Sequence, residues 1–206
     1  MFDDLIILRE PPPNRMGKCE SGVERHLTEG AVMVAFAFHL LRTFPEIKHV
    51  SVHPDGEHGK RFGFTAWLAA RAFRLTTPRG STSYGGLYEG PQGQTILIDP
   101  KPGMGDVVAK LPELALVAEC KGGVVNSWHA GQQSRLRRGL CEAVGQLLAS
   151  PIGQPRRQFA VVPRTPTTTE LAERMRPRAA AAGIEIALVD GHGNVAGVER
   201  ELPKGA

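Results

Sequence analysis

Three ionisable residues lie in or beside two apolar stretches near the middle of the chain. Asp106 precedes the stretch at 107–109, and Glu119 and Lys121 follow the stretch at 114–118. Both stretches have the length and composition of buried β-strands. Buried strands rarely contain a carboxylate or an ammonium group unless the charge is paired or binds a metal ion. The spacing therefore indicates a site where charged groups are gathered for chemistry.

Strand geometry predicts how these charges are arranged. Side chains alternate along a strand, so Glu119 and Lys121 leave the same face about 7 Å apart. A turn centred on Pro112 and Glu113 pairs residue 111 with 114 and 108 with 117, which places Asp106 directly opposite Glu119. Cross-strand neighbours have Cβ atoms about 5 Å apart, close enough for two carboxylates to bind one cation. Pro-Glu is not a favoured two-residue hairpin loop, so a shifted register is the alternative.

The pattern of Asp106, twelve intervening residues and then Glu119-Cys120-Lys121 resembles the PD-(D/E)xK nuclease superfamily, which has the restriction-endonuclease-like fold. The segment AECKGG is similar to those of Holliday-junction resolvases and several restriction enzymes. The resemblance is specific over about residues 95–148 and elsewhere extends only to the order of elements. Gly105 stands where the superfamily usually has a proline, a position that varies among its members.

This resemblance implies an α/β protein with an αβββαβ core, in which a central mixed sheet is flanked by helices. It also implies Mg²⁺, with Mn²⁺ as an alternative, bound by Asp106, Glu119 and the backbone carbonyl of Cys120. Phosphodiester hydrolysis needs a nucleophilic water and stabilisation of charge on the phosphate, and Mg²⁺ held by one or two carboxylates supplies both. Lys121 is expected to orient or deprotonate the water and to offset transition-state charge. The alternative is a structural Glu119–Lys121 pair beside an unrelated Asp106.

The first helix often supplies a further acid in this superfamily, and Glu24 and Glu29 both qualify. The segment Ser21–Glu24 fits the capping box S-x-x-E, which predicts a helix from there to about Thr43. Glu24 then has a capping role, whereas Glu29 lies about two turns into the helix at the edge of its apolar face. Glu29 is therefore the preferred catalytic acid.

An amphipathic pattern predicts a helix at 129–149, after the candidate site. Gln133 falls on its apolar side near the N-terminal end, where it could bind a metal-bound water or a phosphate, or be a buried structural amide. Arg135 and Arg138 fall on the solvent face. Arg137 lies between the two faces and is the best single candidate for a phosphate contact. An ordinary solvated surface is the alternative for all three arginines.

Local patterns predict the remaining elements. These are strands at 49–53, 94–99, 158–162 and 184–189, a helix at 62–73, a long loop at 76–93, and a helix that is capped at 167–170 and kinked by Pro177. The segment HPDGEH at 53–58 is interpreted as a loop rather than a transition-metal site. The resulting order of helix, three strands, helix and strand agrees with the αβββαβ core that the resemblance implies.

Composition and charge set the broad class. The 206 residues, with 41% hydrophobic and 22% charged, fit one globular domain at 19–206 after an N-terminal arm at 1–18, which contains three consecutive prolines. Residues 131–178 contain nine arginines and three glutamates, an excess that suits a polyanionic partner. Three cysteines without C-x-x-C spacing favour a reducing, cytoplasmic setting. The apolar run at 31–38 is too short to span a membrane.

The sequence thus predicts a metal-dependent nuclease that acts on DNA, with endonuclease action favoured. RNA cleavage is an alternative, as is an inert nucleic-acid-binding or scaffolding protein of the same fold. The presence of Asp106, Glu119 and Lys121 together favours the enzyme. The small size and the lack of a separate DNA-reading segment suggest a homodimer or a partner subunit.

Overall fold

The computed structural model describes residues 2–56, 61–151 and 155–199, and in these residues a large mixed β-sheet is flanked by helices. The strands are β1 (Ile6–Arg9), β2 (Glu24–Leu27), β3 (His49–Val52), β4 (Arg74–Pro78), β5 (Gly86–Glu89), β6 (Thr95–Ile98), β7 (Val107–Lys110), β8 (Ala115–Cys120), β9 (Gly123–Val124), β10 (Arg156–Pro163), β11 (Ile184–Val189) and β12 (Val195–Ala196). The helices are α1 (Glu29–Thr43), α2 (Phe64–Ala69), α3 (Ala130–Ala149) and α4 (Pro166–Ala181).

Within the described residues the large sheet has nine strands in the order β12-β11-β10-β8-β7-β3-β6-β5-β4. Strand β7 is antiparallel to both of its neighbours, β3 and β8, whereas β10 is parallel to β8 and to β11. A second, three-stranded sheet has the order β1-β2-β9. The chain is therefore an α/β protein, as predicted.

The two faces of the sheet pack against different helices. Along β8, Leu116, Ala118 and Cys120 are buried in the same core as α1, whereas Ala115 and Val117 are buried with the apolar stripes of α3 and α4. This alternation is the two-residue period of a strand that is buried on both faces. Helix α1 is buried along most of its length, which agrees with the apolar composition of that segment.

The structure corrects the start of the first helix. Residues 20–22 form a 3₁₀ turn and Glu24 begins β2, so the predicted capping box does not cap a helix. Helix α1 begins at Glu29 instead, where the hydroxyl oxygen of Thr28 accepts a hydrogen bond from the backbone N–H of Ala31 (3.2 Å). Glu24 takes no part in this cap because its carboxylate binds Arg15.

The N-terminal segment is packed against the rest of the chain. Strand β1 is an edge strand of the small sheet, but Leu5 just before it is fully buried in the α1 core. The ring of Phe2 packs edge-on against Phe38 and Trp67, with centroid distances of 5.5 and 5.1 Å. These aromatic contacts join the segment to α1 and α2.

A hairpin occupies much of the predicted loop at 76–93. Strands β4 and β5 pair there and extend the edge of the large sheet, with a register shift between Leu75 and Thr77. The glycine and serine content of this segment predicted a loop. Gly86 is instead required by the strand pairing, since a Cβ there would come 2.6 Å from the carbonyl oxygen of Thr77. Tyr88 is buried and donates a hydrogen bond from its hydroxyl to the backbone oxygen of Tyr84 (2.8 Å).

Most other elements lie close to their predicted positions. The predicted strands are present as β3, β6, β10 and β11, and the long amphipathic helix is present as α3. The predicted helix at 62–73 is shorter, and α4 is capped by Thr165 and Thr168 and continues through Pro177. Residues 57 and 58 of the predicted loop lie outside the described residues. No helix in the described ranges is long and apolar enough to cross a membrane.

Candidate active site

The β7–β8 hairpin has the predicted register. Val108 pairs with Val117, and the N–H of Leu111 donates to the carbonyl oxygen of Leu114 (2.8 Å) across the turn. Continuing the same register by two residues brings Asp106 opposite Glu119. Pro-Glu therefore serves as the turn although it is not a favoured pair.

Gly105 allows the close approach of the chain before Asp106. A Cβ at this position would lie 2.7 Å from Cγ1 of Val117 and 3.0 Å from the carbonyl oxygen of Ala118. Glycine therefore fits this position. Any larger residue would require Asp106 to move away from β8.

Two hydrogen bonds fix Asp106. Its side-chain Oδ2 accepts a hydrogen bond from the backbone N–H of Cys120 (2.7 Å), and its backbone oxygen accepts one from the N–H of His53 (2.8 Å). The carboxylate of Asp106 also contacts that of Glu119 through a side-chain hydrogen bond. The two acids that the sequence predicted to meet are therefore in contact.

Glu119 is a partly buried acid with an unusual pKa. Burial is the largest cause and the negative charge of Asp106 the next, and together they raise the pKa of Glu119 to about 7 although Lys121 opposes the shift. Burial alone would lower the pKa of Lys121, but the charges of Glu29, Asp106 and Glu119 raise it. Lys121 is therefore a cation surrounded by acids.

The N-terminus of α1 brings Glu29 to this group. Gly122 follows Lys121, and a Cβ there would lie 2.4 Å from the backbone nitrogen of Glu29, so only glycine permits this approach. Burial is the main cause that raises the pKa of Glu29 to about 7; Lys121 lowers it, and Asp106 raises it further. Glu29 is the first residue of α1 rather than a residue two turns inside, yet it lies beside the predicted site.

Glu24 occupies a different environment. Its carboxylate is buried in β2, where Arg15 donates from Nε to Oε1 (2.6 Å) and His26 Nε2 lies 3.1 Å from Oε2. These partners, Arg15 foremost, lower the pKa of Glu24. Of the two candidate acids, Glu29 is the one that lies beside Asp106 and Lys121.

The donor set suits a hard cation with few protein ligands. Asp106 and Glu119 provide two touching carboxylates, and a cation between them would relieve the repulsion that raises the pKa of Glu119. In the described ranges no three His, Cys, Asp or Glu side chains are close enough together to hold a metal ion. Mg²⁺ binds through one or two carboxylates and keeps several waters, whereas a structural zinc site needs four protein ligands. These residues therefore fit Mg²⁺ better than Zn²⁺.

Cys120 contributes its backbone rather than its thiol. The side chain is fully buried on the α1 side of the sheet, and burial raises the pKa of the thiol. Its N–H orients Asp106. The predicted role of its carbonyl oxygen as a metal ligand stays a prediction.

Helix α3 packs directly over Lys121, because a Cβ at Gly139 would lie 3.2 Å from Cβ of Lys121. The buried amide of this helix is Gln132, whereas Gln133, which the helical wheel predicted on the apolar side, is only half-buried. Gln132, Leu136 and Gly139 lie on one face of the helix, at spacings of four and three residues. Counting Gly139 as a buried position would have predicted Gln132, not Gln133, as the buried amide.

The three arginines of α3 are exposed but lie on different sides. Arg138 forms an ion pair with Glu142 (3.8 Å), and Glu142 is one of the charges that raise the pKa of Glu29. At 3.6 residues per turn, Arg135 shares this side of the helix and Arg137 lies on the opposite side. Arg135 and Arg138 are therefore the better placed towards the site.

Two cavities adjoin the carboxylates. One, of about 680 Å³, is lined by Glu119, Lys110 and Arg156 among others. The other, of about 200 Å³, lies beside Glu29 and is lined by the cationic side chains of Arg9 and Arg61 and by the imidazole of His26. The sequence reasoning missed these basic residues. Strand alternation could have found Lys110, which lies four residues after Asp106 on the same face.

The chain matches no protein-family model, and no curated protein or solved structure matches it.

Proposed function

We propose that the chain is a metal-dependent nuclease of the PD-(D/E)xK superfamily that hydrolyses phosphodiester bonds, in the first place those of DNA. The order of elements supports the fold part of this proposal. Helix α1, the adjacent strands β3, β7 and β8, helix α3 and then β10 follow one another as an αβββαβ unit. The segment from α2 to β6 is an insertion in that unit, added at the other edge of β3.

One observation carries the functional part. The β7–β8 register brings Asp106 and Glu119 into contact, with Lys121 on the same face as Glu119 and Glu29 next to them. Acids with raised pKa values that line cavities, as Glu119 and Glu29 do, are characteristic of functional sites. A phosphodiester nuclease uses this combination of groups.

Each residue has a role that follows from its surroundings. Asp106 is fixed by the N–H of Cys120 and, with Glu119, would hold Mg²⁺. The ion, when bound, supplies a polarised phosphate and an activated water. Lys121 keeps its proton and stabilises the negative charge that develops on the phosphate oxygens. Glu29, with a pKa of about 7, can accept a proton from water near neutral pH.

The polyanionic partner is supported by the basic residues around the site. Arg135 and Arg138 lie on the side of α3 that carries Glu142 and faces Glu29. Phosphate contacts from such residues position a nucleic acid without reading its sequence. They serve DNA and RNA alike, so RNA is the alternative substrate, and a homodimer or partner subunit would supply further contacts.

The test compares the purified protein with its Asp106→Asn variant on covalently closed plasmid, linear duplex, single-stranded DNA and RNA, in Mg²⁺, Mn²⁺ or EDTA. We expect the parent to cut closed plasmid with Mg²⁺ and the variant to be inactive with its fold intact, as judged by circular dichroism. Asparagine keeps the acceptor for Cys120 but removes the charge. Full activity in EDTA would contradict the proposal, as would parent-like activity of Asp106→Asn. Nucleic-acid binding without cleavage in any metal would establish the inert binding protein instead.

A further inference from the structure

A part of the large sheet next to the candidate site lies open to solvent. On the face opposite α1, helix α3 packs on β8 and β10, and α4 packs on β11. The neighbouring strands β3, β6 and β7 present His49, Ser51, Leu97 and Lys110 on this face as exposed or half-buried side chains. Such a shelf, bounded on one side by a helix, gives a ligand access to the sheet.

The open part of the sheet forms the floor of a groove that ends at Glu119, and we call it the groove below. A cavity of about 520 Å³ over β3, β6 and β7 shares Gly103, Met104 and Lys110 with the cavity of about 680 Å³ beside Glu119. The shared residues make the two cavities one continuous groove. Met104, which is 38% exposed, lines both cavities.

The wall of the groove is held in place by β3. Gly103 lies against the ring of His53, where a Cβ would come within 2.5 Å of the imidazole. The ring nitrogen Nδ1 of His53 is 2.9 Å from the backbone oxygen of Lys101. Since the N–H of His53 also binds Asp106, the segment that shapes the groove and the acid of the site are anchored at the same residue.

The charge of the groove is mainly positive. Lys110, Arg79 and Arg156 line it, and its acidic members are Asp99 and Glu119 itself. Asp99 is already paired with Arg79 (3.4 Å). The guanidinium of Arg156 is held at the end of α3 by the carbonyl oxygens of Ser150 (3.1 Å) and Pro151 (2.5 Å). Lys110 and Arg156 are therefore the cations that remain beside Glu119.

The two cations flank the same residue of β8, at a distance from Glu119 that spans several nucleotides. Lys110 pairs with Ala115, four residues before Glu119 along β8, which corresponds to about 13 Å. Arg156 pairs with the same Ala115 in the parallel ladder. At an axial rise of about 3.4 Å per nucleotide, a distance of about 13 Å along the axis corresponds to about four base pairs of B-form DNA.

We propose that this groove binds the nucleic-acid backbone on one side of the phosphate to be cleaved, with Lys110 and Arg156 contacting phosphates. The role of the groove in positioning a substrate rests on the proposed nuclease function. The capacity of the groove to bind nucleic acid does not depend on that function, because binding can be measured where no cleavage occurs.

The experiment measures binding of fluorescently labelled duplex and single-stranded oligonucleotides in EDTA over a series of salt concentrations. It compares the parent with Lys110→Ala/Arg156→Ala and with the control Arg174→Ala/Arg178→Ala, which removes the same charge from exposed positions on α4. We expect the groove variant to bind more weakly, with a slope of log K against log salt that is smaller by about 1.8 for duplex and about 1.4 for single strands. The control should keep the parent slope.

A parent-like slope for the groove variant would overturn the proposal, and so would an equal loss in the control or a parent that binds no nucleic acid. Arg156→Lys and the single variant Lys110→Ala guard against misfolding, because the first keeps the charge and the second changes an exposed side chain. Arg156→Lys should keep the slope, and Lys110→Ala should lose about half of the effect. Groove-dependent binding without cleavage in Mg²⁺ would refute the nuclease and leave the groove, whereas cleavage with a parent-like slope would refute the groove alone.

Discussion

Glu29 should weaken the metal-free fold as the pH rises, and Glu29→Gln should remove this effect. The pKa of Glu29 in the folded state is about 7 against an ordinary 4.5, so between these values the folded state binds the proton more tightly than the unfolded chain. Stability is then lost as the pH rises from about 4.5 to about 7 and is constant above that. At about 1.4 kcal/mol per pH unit the loss is at most about 3.5 kcal/mol, and less where water still reaches the half-buried carboxyl.

The assay is urea unfolding in EDTA at about pH 4 and about pH 8.5 for the parent and Glu29→Gln. The variant should gain about 2–3 kcal/mol relative to the parent between the two pH values, because glutamine does not titrate. A difference between the two proteins that does not change with pH would refute the buried ionisable acid.

Glu24→Gln is the matched control, because the same substitution removes an acid whose pKa is shifted the other way. Arg15 lowers the pKa of Glu24, so its contribution to stability is present above about pH 4.5 and is lost as the pH falls through the folded-state pKa. Glu24→Gln should therefore be destabilised at neutral pH, and its deficit should shrink in acid. The two variants together also decide which acid belongs to the site, since only Glu29→Gln should reduce cleavage.

Three further predictions concern cleavage and binding. Glu119→Gln should abolish Mg²⁺-dependent cleavage and also remove the protection against heat unfolding that Mg²⁺ gives the parent, which a thermal melt with and without EDTA would show; protection that persists in the variant would place the ion elsewhere. Lys121→Met should lower the single-turnover cleavage rate at least about a hundredfold while the affinity for DNA is retained, and Lys121→Arg should restore it only in part; parent-like cleavage by Lys121→Met would show that this lysine is structural. Arg135→Ala/Arg138→Ala should reduce the salt slope of DNA binding by up to about 1.8, and Arg137→Ala should leave it unchanged; the reverse ranking would contradict the orientation of α3.

The sequence predicted the hairpin and α3 well because their patterns are local and both elements are buried. A turn centred on Pro112 and Glu113 predicts the register that pairs Val108 with Val117, and the same register brings Asp106 opposite Glu119. The stripe of α3 that includes Leu136 and Leu140 is likewise buried as expected. An element whose buried residues repeat with its own period can be predicted from the local sequence alone.

The start of α1 could not be predicted in the same way. The motif Ser21–Glu24 is a valid helix start by itself, but Glu24 is drawn into β2 by Arg15, a residue nine positions earlier. Thr28 offers the alternative cap, and no local rule ranks it above Ser21. A tertiary contact decided between two acceptable starts, and it also moved Glu29 to the first position of the helix.

The basic groove was missed for a related reason. Arg156 belongs to β10 and reaches the groove only because β10 lies parallel to β8, a pairing made across the length of α3. The position of Lys110 could have been predicted from the sequence, since strand alternation puts it on the same face as Asp106. Residues from distant segments converge only when the sheet order is known.

The environment of Glu119 bears on the choice between the proposed nuclease site and a structural ion pair. If Lys121 were present only to neutralise Glu119, their attraction would dominate and the pKa of Glu119 would fall below its ordinary value. It rises to about 7 instead, because burial and Asp106 outweigh Lys121. Two touching carboxylates and a third acid at Glu29 oppose folding when they ionise, and one lysine does not offset them. An inert scaffold would be more stable without one of these acids. A cation bound between Asp106 and Glu119 would relieve their repulsion, and this relief would add to the affinity for the cation. The arrangement therefore supports the proposed metal-dependent site over an inert strand.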